Sequence, residues 1–332
     1  MSVPQYGPGS GNNTASGSWA TVAGGLQNTT NTAAGATIAG GQNNTVGTTL
    51  HASGNYSTIG GGLQNTASDV GGTVSGGQNN KASRPGATIG GGGQNTASGE
   101  FATIGGGYGN TASGSDATVP GGINNVAAGD YSFAAGSYAC TQTSGRVGGR
   151  REAAVGAFVW ADSSVFLPFY SLGNNEFAAR ATGGVRFVTA TDSSGNPTAG
   201  VQVSSGGGSW GSISDRNLKE NFEDVNGNEV LEKLDRMPLR TWNYKTQHAK
   251  IRHLGPMAQD FHSAFRLGED DLHISTVDAD GIAFASIQAL YRIVKQQNKR
   301  LKQENKTLEK NIKEIHSRIT RLEKKVKPTK TR

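Results

Sequence analysis

A repeat of about fifteen residues is the feature that most restricts how this chain can fold. Its marker is a Thr followed by Ile or Val, and successive markers are 16, 21, 15, 15, 15 and 15 residues apart. The clearest copy reads ATIGGGGQNTASGEF, at residues 87–101. A fixed period of this kind predicts an array of stacked units, and glycine does not recur at every third position as a collagen helix requires. The aliphatic marker residues are Val22, Ile38, Ile59, Val74, Ile89, Ile104 and Val119.

The repeat predicts a coil of β-structure to which each period contributes one short strand. Ala, Thr and the aliphatic residue fit a narrow interior, while Gly and Asn provide corners with positive φ. At a strand spacing of roughly 4.8 Å, about eight coils would form a rod roughly 40 Å long. Because the interior holds few large side chains, we expect three chains to share one core. The Asn residues expected at corners are Asn65, Asn80, Asn95 and Asn110.

Composition alone would indicate disorder, because the 332 residues include 50 glycines and only 34% are hydrophobic. The regular period argues against disorder. Residues 1–213 contain 7 Lys and Arg against 8 Asp and Glu, a net charge of −1. Residues 214–332 contain 24 against 17, a net charge of +7. A nucleic-acid-binding protein needs a basic face on its working domain, and here the positive charge belongs to the C-terminal part instead.

Several classes of protein are excluded by what the sequence lacks. Cys140 is the single cysteine, so an intrachain disulfide framework and a multi-cysteine metal site are excluded. We predict no metal ion and no cofactor. The start, MSVPQYGPGSG, has no basic segment followed by an apolar one, and no apolar run approaches membrane-spanning length. We therefore expect a chain made in the cytoplasm, without a secretory signal and without membrane insertion.

Residues 141–213 have a different character, with strand-like runs broken by Gly, Pro and Ser. They predict a β-rich connector of short elements that interlock between chains. Its aromatic residues form either a core where three chains meet or a surface that binds a receptor or glycan. A glycosidase would need paired carboxylates on a rigid scaffold, whereas Glu152, Asp162 and Glu176 are scattered singly. The aromatic residues are Phe158, Trp160, Phe166, Phe169 and Tyr170.

Residues 287–327 carry a heptad repeat that predicts a coiled coil. Ile at the a positions with mixed Ile and Leu at d favours three strands, and Asn298 and Asn305 would fix the register at a cost in stability. The basic residues lie on the solvated faces of this helix. The d positions are Ile287, Val294, Leu301, Leu308, Ile315 and Leu322, and the a positions are Tyr291, Asn298, Asn305, Ile312, Ile319 and Val326.

The fifteen-residue repeats, and the sequence GDYSFAAGSYA at residues 129–139 that ends them, resemble the heads of YadA-like trimeric autotransporter adhesins. The resemblance covers roughly residues 10–140 and implies a left-handed β-roll. The sequence shows neither the signal peptide nor the C-terminal membrane barrel of an autotransporter. We therefore expect the head to serve another kind of fibre.

Three further motifs follow in order along the chain. They are Ser-Asp-x-x-x-Lys at residues 214–219, His-x-Gly-x-x-Ala-Gln at 253–259 and Val-Asp-x-x-Gly at 277–281. Together they resemble the intramolecular chaperone auto-processing domain of phage tailspikes, tail fibres and endosialidases, over roughly residues 212–325. The resemblance implies that this domain assembles three chains and then removes itself. It would cut between Ile213 and Ser214, with Ser214 as the nucleophile and Lys219 as the base.

The spacing of this Ser–Lys pair is itself informative. On a regular α-helix, side chains five residues apart point about 140° away from each other. Either Ser214 precedes the helix, or Lys219 serves a neighbouring chain. Lysine acts as a base only where burial or a positive neighbour lowers its pKa from about 10.4. The alternative is that Ser214 is a helix N-cap and Lys219 a surface charge.

Three more residues are candidates for supporting roles at this pair. Asp215 and Asn217 either orient the pair or cap the helix. His253 matches a position that the family uses near its processing site, although a lone histidine is more often structural. The sequence therefore predicts a self-processing serine endopeptidase that acts once, and no other enzymatic activity.

Taken together, the sequence predicts a mainly β homotrimeric fibre or spike that binds a receptor or glycan on a cell surface. It would belong to a phage virion tail or to a contractile injection particle. The alternatives are a bacterial adhesin at the cell surface and an uncleaved fibre with a permanent C-terminal trimerisation clamp. The predicted parts are an N-terminal segment attached to a baseplate or tail component (1–10), the roll (11–140), the connector (141–213), a small α+β chaperone domain (214–286), the trimeric coiled coil (287–327) and a basic tail (328–332).

Overall fold

The structure, a computed structural model, describes residues 11–47, 54–144 and 151–326. It is mainly β with a long C-terminal helix, as predicted, and its solenoid has about ten coils instead of the predicted eight. The predicted attachment segment 1–10 and basic tail 328–332 lie outside the described residues. The chain divides into two compact units, which we describe separately. One runs up to Phe187 and includes Gln202–Gly211, and the other comprises Val188–Val201 and the residues from Ser212 onward.

Each coil contributes two short strands, so the prediction of one strand per repeat is wrong. The Thr-Ile part of each repeat forms one strand and the Asn-Thr-Ala part forms another, and a Gly-rich turn separates the two strands. Like strands stack in parallel one repeat apart, for example Thr88 beside Thr103 and Ile89 beside Ile104. Two parallel sheets result, one from each half of the repeat.

The first sheet has ten strands and the second has ten in sequence with one more strand beside them. The first contains Thr14–Ala15, Thr29–Thr30, Thr45–Val46, Thr66–Ala67, Lys81–Ala82, Thr96–Ala97, Thr111–Ala112, Val126–Ala127, Ala139–Thr143 and Phe169–Ser171. The second contains Thr21–Val22, Thr37–Ile38, Thr58–Ile59, Thr73–Val74, Thr88–Ile89, Thr103–Ile104, Thr118–Val119, Phe133–Ser137, Phe158–Ala161 and Phe177–Arg180, with Gly122–Ile123 paired to Phe133–Ser137.

The interior of the solenoid is closed by a single chain. Aliphatic residues of the second sheet, such as Ile89 and Ile104, are fully buried in one cluster with alanines of the first, such as Ala97 and Ala112. The expectation of a core shared by three chains is therefore wrong for the coils. Small residues suffice because the two strands of a coil lie close enough for an Ile row to fill the space against an Ala row.

The asparagines expected at corners are instead buried inside, so that prediction is also wrong. The left-handed backbone belongs to neighbouring residues, such as Gln94 with φ 57° and Gly92 with φ 83°. A Cβ on Gly92 would lie 2.0 Å from the carbonyl oxygen of Gly107 in the next coil. Only glycine permits this approach between coils. The buried asparagines are Asn28, Asn44, Asn65, Asn80, Asn95, Asn110 and Asn125.

The two sheets continue past residue 140, the predicted end of the roll, as far as Arg180. Arg180 pairs with Asp162, their Nε and Oδ1 atoms 3.2 Å apart, and its guanidinium donates to the carbonyl oxygens of Val165 and Leu167. This holds the loop between the last two strands of the second sheet. The solenoid thus includes the first part of the predicted connector.

The five connector aromatics do not form one cluster: Phe158 and Trp160 lie in the second sheet, Phe169 and Tyr170 in the first, and Phe166 in the loop between those strands. Phe158 stacks between Phe133 and Phe177 on the second sheet, at centroid distances of 4.6 and 4.9 Å. Phe169 in the first sheet packs against the solenoid core, and the guanidinium of Arg151 lies over the ring of Tyr170. A three-stranded sheet follows in the sequence, formed in order by Gly184–Thr191, Pro197–Ser204 and Gly211–Ser212.

The second unit has a small core between three helices. They are α1 (Gly227–Arg236), α2 (Ala258–Phe265) and α3 (Thr276–Val326). Asn226 caps α1 by accepting from two backbone N–H groups of its first turn. A two-stranded antiparallel sheet joins Arg240–Trp242 to His253–Gly255. The core residues are Val230, Met237, Phe261 and Ile282, with Leu234, Phe265, Ile274 and Ala285 packed against them.

Helix α3 contains 51 residues and includes the predicted heptads. Beyond its contact with α1, its apolar stripe is uncovered: Leu301 is 54% and Ile312 65% exposed. An amphipathic helix of this length obtains most of its stability from packing of its apolar face. Within the part of the chain that the structure describes, no helix has the length and apolar character that crossing a membrane requires.

Candidate functional site

The predicted Ser–Lys pair lies on either side of a short 3-10 turn, Arg216–Leu218. Asp215 caps this turn: its Oδ1 accepts from the backbone N of Asn217 at 2.9 Å and from Asn217 Nδ2 at 3.1 Å. The alternative in which Ser214 is the N-cap is therefore wrong, because Asp215 occupies that position. Of the two roles considered for Asp215 and Asn217, capping is the one that their contacts form.

Ser214 and Lys219 meet within one chain. Lys219 follows the turn with an extended backbone, φ −126° and ψ 152°, and its Nζ lies 2.6 Å from Ser214 Oγ. Two side chains five residues apart make contact here because Ser214 precedes the turn and the turn is tighter than an α-helix. A neighbouring chain is not needed to bring these two atoms together.

The pair is open to solvent in a single chain. Every residue from 211 to 226 is exposed, including both members of the pair. A lysine that serves as a base must be desolvated or placed beside another positive charge. The single chain provides the contact between Ser214 and Lys219 but not the burial.

The peptide bond between Ile213 and Ser214 directly follows an edge strand. Gly211–Ser212 is the third strand of its sheet, and the N–H of Ile213 donates to the carbonyl oxygen of Gly200 at 3.1 Å. This hydrogen bond ties the residue before the predicted cut to the neighbouring strand, Pro197–Ser204. The sequence analysis did not identify Gly200. The sequence does contain a pattern that could have indicated this contact, since a strand-like run at residues 197–204 follows a Gly-Asn turn.

His253 has other partners. Its Nε2 lies 2.9 Å from Gln247 Oε1, and its ring lies beside those of Trp242 and Tyr244, at centroid distances of 4.7 and 5.7 Å. Among the described contacts of His253, none is with Ser214 or Lys219. These contacts are those of a structural histidine in a small aromatic group.

Two of the three carboxylates considered for glycan cleavage, Asp162 and Glu176, have structural partners. Hydrogen bonds from Ser164 and then Thr182 hold the pKa of Asp162 well below its usual value, and Glu176 accepts from the backbone N of Leu172.

Burial raises the pKa of the Cys140 thiol to about 11, so it stays protonated near neutral pH. Across residues 11–47, 54–144 and 151–326, no group of three or more His, Cys, Asp or Glu is placed to hold a metal ion.

Comparison with known families supports the predicted intramolecular chaperone domain in the second unit. The family model for the chaperone of endosialidase matches residues 214–266. The match begins at Ser214, the residue predicted to follow the cut, and it includes Lys219 and His253. No curated protein matches the chain.

Proposed function

We propose that this chain is a fibre or spike protein that assembles through its C-terminal domain and then cuts that domain off between Ile213 and Ser214. The observation that carries the proposal is the 2.6 Å contact between Ser214 Oγ and Lys219 Nζ. This contact lies at the first residue of the match to the chaperone of endosialidase. The proposed cut would leave a fibre of residues 1–213 and a released domain that begins at Ser214.

The chemistry follows from the position of the serine after the bond. Neutral Lys219 accepts the proton of the Ser214 hydroxyl, and Oγ attacks the carbonyl carbon of Ile213. The C–N bond breaks, the α-amine of Ser214 takes up a proton, and an ester joins Ile213 to the serine oxygen. Water then hydrolyses the ester, which leaves a carboxylate on Ile213 and restores the hydroxyl of Ser214. The hydrogen bond to Gly200 would hold the acyl side of the bond during both steps.

Assembly would supply the burial that a single chain does not. Lys219 is exposed in one chain, and α3 presents an uncovered apolar stripe that a coiled coil with other copies would bury. Packing of chains around this stripe would bring protein surface against the pair and supply the desolvation that a lysine base needs. We infer that cutting follows trimerisation for this reason, and that a chain without partners stays whole.

The fibre itself would bind a receptor or glycan on a cell surface, with its N-terminal segment on a baseplate or tail component. As the location of such a fibre we propose a phage tail or a contractile injection particle. The second candidate is an uncleaved fibre in which residues 214–326 stay as a permanent clamp, and the exposure of Lys219 favours it. An adhesin of the bacterial surface is the other alternative.

Intact-mass spectrometry of the purified full chain tests the proposal against the permanent clamp. We expect the wild-type protein to give two fragments, one ending at Ile213 and one starting at Ser214. Ser214→Ala and Lys219→Met should each give only full-length chain. Ser212→Ala, which changes an exposed serine two residues before Ser214, is the matched control and should be cut as the wild type is.

A wild-type chain that stays whole as a stable trimer would establish the permanent clamp instead. Cleavage that persists in Ser214→Ala would show that another nucleophile or a contaminating protease acts. Both results would overturn the proposed role of the pair.

A further inference from the structure

One corner of the solenoid carries large aromatic side chains in a backbone conformation that disfavours them. In each coil this corner residue has positive φ and lies two positions before a strand of the second sheet. Trp19, Tyr56, Phe101 and Tyr131 have φ of 58°, 60°, 54° and 58°. The complete column, one residue for each coil, is Trp19, Gly35, Tyr56, Gly71, Gly86, Phe101, Asp116, Tyr131, Gly156 and Asn175.

The corner column is ordered by the backbone. The N–H of Phe101 donates to the carbonyl oxygen of Pro85 at 2.9 Å, and the N–H of Tyr131 to that of Ser115 at 2.8 Å. Each acceptor is the residue before the column position in the preceding coil. The column is therefore a fixed row along the solenoid, with one position for each strand spacing.

Two glycines of the column leave room for an aromatic ring of the next coil to pack against the backbone. A Cβ on Gly35 would lie 2.8 Å from Cδ1 of Tyr56, and one on Gly86 would lie 2.4 Å from Cδ1 of Phe101. Each ring thus lies against the backbone of the preceding coil, where only glycine leaves room. The side chains nevertheless remain 68% and 57% exposed. A bulky residue held at positive φ marks strain that concentrates at functional sites.

The rings are too far apart for one continuous apolar interface. At about 4.8 Å for each coil, the steps from Trp19 to Tyr56, to Phe101 and to Tyr131 are roughly 10, 14 and 10 Å. Gly35, Gly71, Gly86 and Asp116 separate them. A second copy of the chain would need a contiguous apolar patch to bind here. Separate flat rings along a row instead match a ligand that has an apolar face at regular intervals along its length. A linear glycan is such a ligand, because each of its pyranose rings has an apolar face.

Polar groups beside the rings favour the same ligand and restrict its charge. Glu100 precedes Phe101 and Asp130 precedes Tyr131, and carboxylate oxygens accept hydrogen bonds from sugar hydroxyls. These two carboxylates and Asp116 make the corner acidic, with Arg84 as the cation nearest in the sequence. A polyanionic glycan would be repelled.

We propose that the corner column binds a neutral linear polysaccharide along the solenoid axis, with its sugar rings stacked on Trp19, Tyr56, Phe101 and Tyr131. The proposal rests on the proposed cell-surface function and gives it a place and a ligand class. The column lies within the fibre that would remain after processing.

Binding of the full-length protein to an array of neutral and anionic linear polysaccharides, with cellohexaose and chitohexaose as soluble probes, tests this proposal. We expect retention on at least one neutral polysaccharide, and an affinity reduced at least about tenfold in the double variant Tyr56→Gly/Phe101→Gly. Both substitutions give residues that other coils have at this corner, so the coil should fold. Tyr108→Gln is the matched control: it removes a half-exposed ring from the opposite turn, where Gln42 and Gln78 lie in other coils.

Unchanged affinity in the double variant, a preference for anionic glycans, or no retention on any neutral polysaccharide would each overturn the proposal. A change of oligomeric state in the double variant would show that the corner is an interface between copies, and would also overturn it. Binding of the protein to a panel of bacterial strains separates the two levels. Wild type and double variant that bind cells equally would refute the column alone, whereas no binding by the wild type would refute the proposed cell-surface function.

Discussion

At the scale of single residues, the solenoid depends on a row of buried amides. Asn95 donates from Nδ2 to the carbonyl oxygens of Gly91 and Gly107 at 3.0 and 2.9 Å, and its Oδ1 accepts from the backbone N of Asn110 at 3.0 Å. One side chain thus satisfies a turn in its own coil and backbone groups of the next. An amide is the side chain that combines two donors with an acceptor in this space.

Replacing Asn95 by Ala should therefore destabilise the solenoid by about 3 kcal/mol, because buried backbone groups lose their partners. The measurement is denaturant unfolding followed by circular dichroism, and Gln94→Asn, an exposed neighbour at positive φ, is the control. An Asn95→Ala protein as stable as this control would show that water replaces the amide.

The pH dependence of stability should depend on Asp162. Hydrogen bonds hold its pKa in the folded state below the ordinary value of 3.8. Its contribution is therefore fully present above that value and is lost as the pH falls through the folded-state pKa. We expect the melting temperature to fall on acidification below about pH 4, and to fall less steeply in Asp162→Asn. Equal pH profiles for the two proteins would contradict this account.

The asparagines also show which property of single residues the repeat did not predict, namely their burial. Asn is common at positive φ, so the repeat predicted asparagine corners. Their burial depends on the approach of the next coil, which the second strand of each repeat brings about. The Ser214–Lys219 pair was predictable because its motif is local, whereas Gly200 was not, because its contact with Ile213 depends on a hairpin.

At the scale of elements, the sequence patterns that repeat were the most informative. The Thr-Ile period predicted stacked strands and the heptads predicted helix α3, since each pattern repeats with the period of one regular element. Boundaries were less predictable: strands of the solenoid extend to Arg180 through residues that no longer follow the repeat. There the stacked rings of Phe133, Phe158 and Phe177 replace the Thr rows.

The two asparagines in the heptads of α3 give an element-scale prediction. Asn298→Ile combined with Asn305→Ile should raise the melting temperature of the associated helices, because buried polar a positions cost stability. The same change should broaden the distribution of oligomeric states, measured by analytical ultracentrifugation. Gln303→Ala, at an outward position, should change neither. A double variant whose distribution of oligomeric states stays as narrow as that of the wild type would show that other residues fix the register.

At the scale of the whole molecule, the solenoid buries its own core within one chain, whereas the C-terminal unit leaves apolar surface exposed. The coils bury their Ile and Ala rows within one chain, whereas α3 leaves its apolar stripe exposed. The need for partners therefore lies in the part that we propose is removed.

The most direct test of this central claim is the dependence of the cleavage rate on chain concentration. Wild-type chains isolated uncut in denaturant, before they can fold, would be diluted to a series of concentrations, and intact-mass spectrometry would follow the fragment that starts at Ser214. We predict that the rate per chain rises with concentration, and that Leu301→Asp, which breaks the stripe, leaves the chain whole. One rate constant at every concentration, unchanged by Leu301→Asp, would contradict the account: the exposed pair would then cut without assembly.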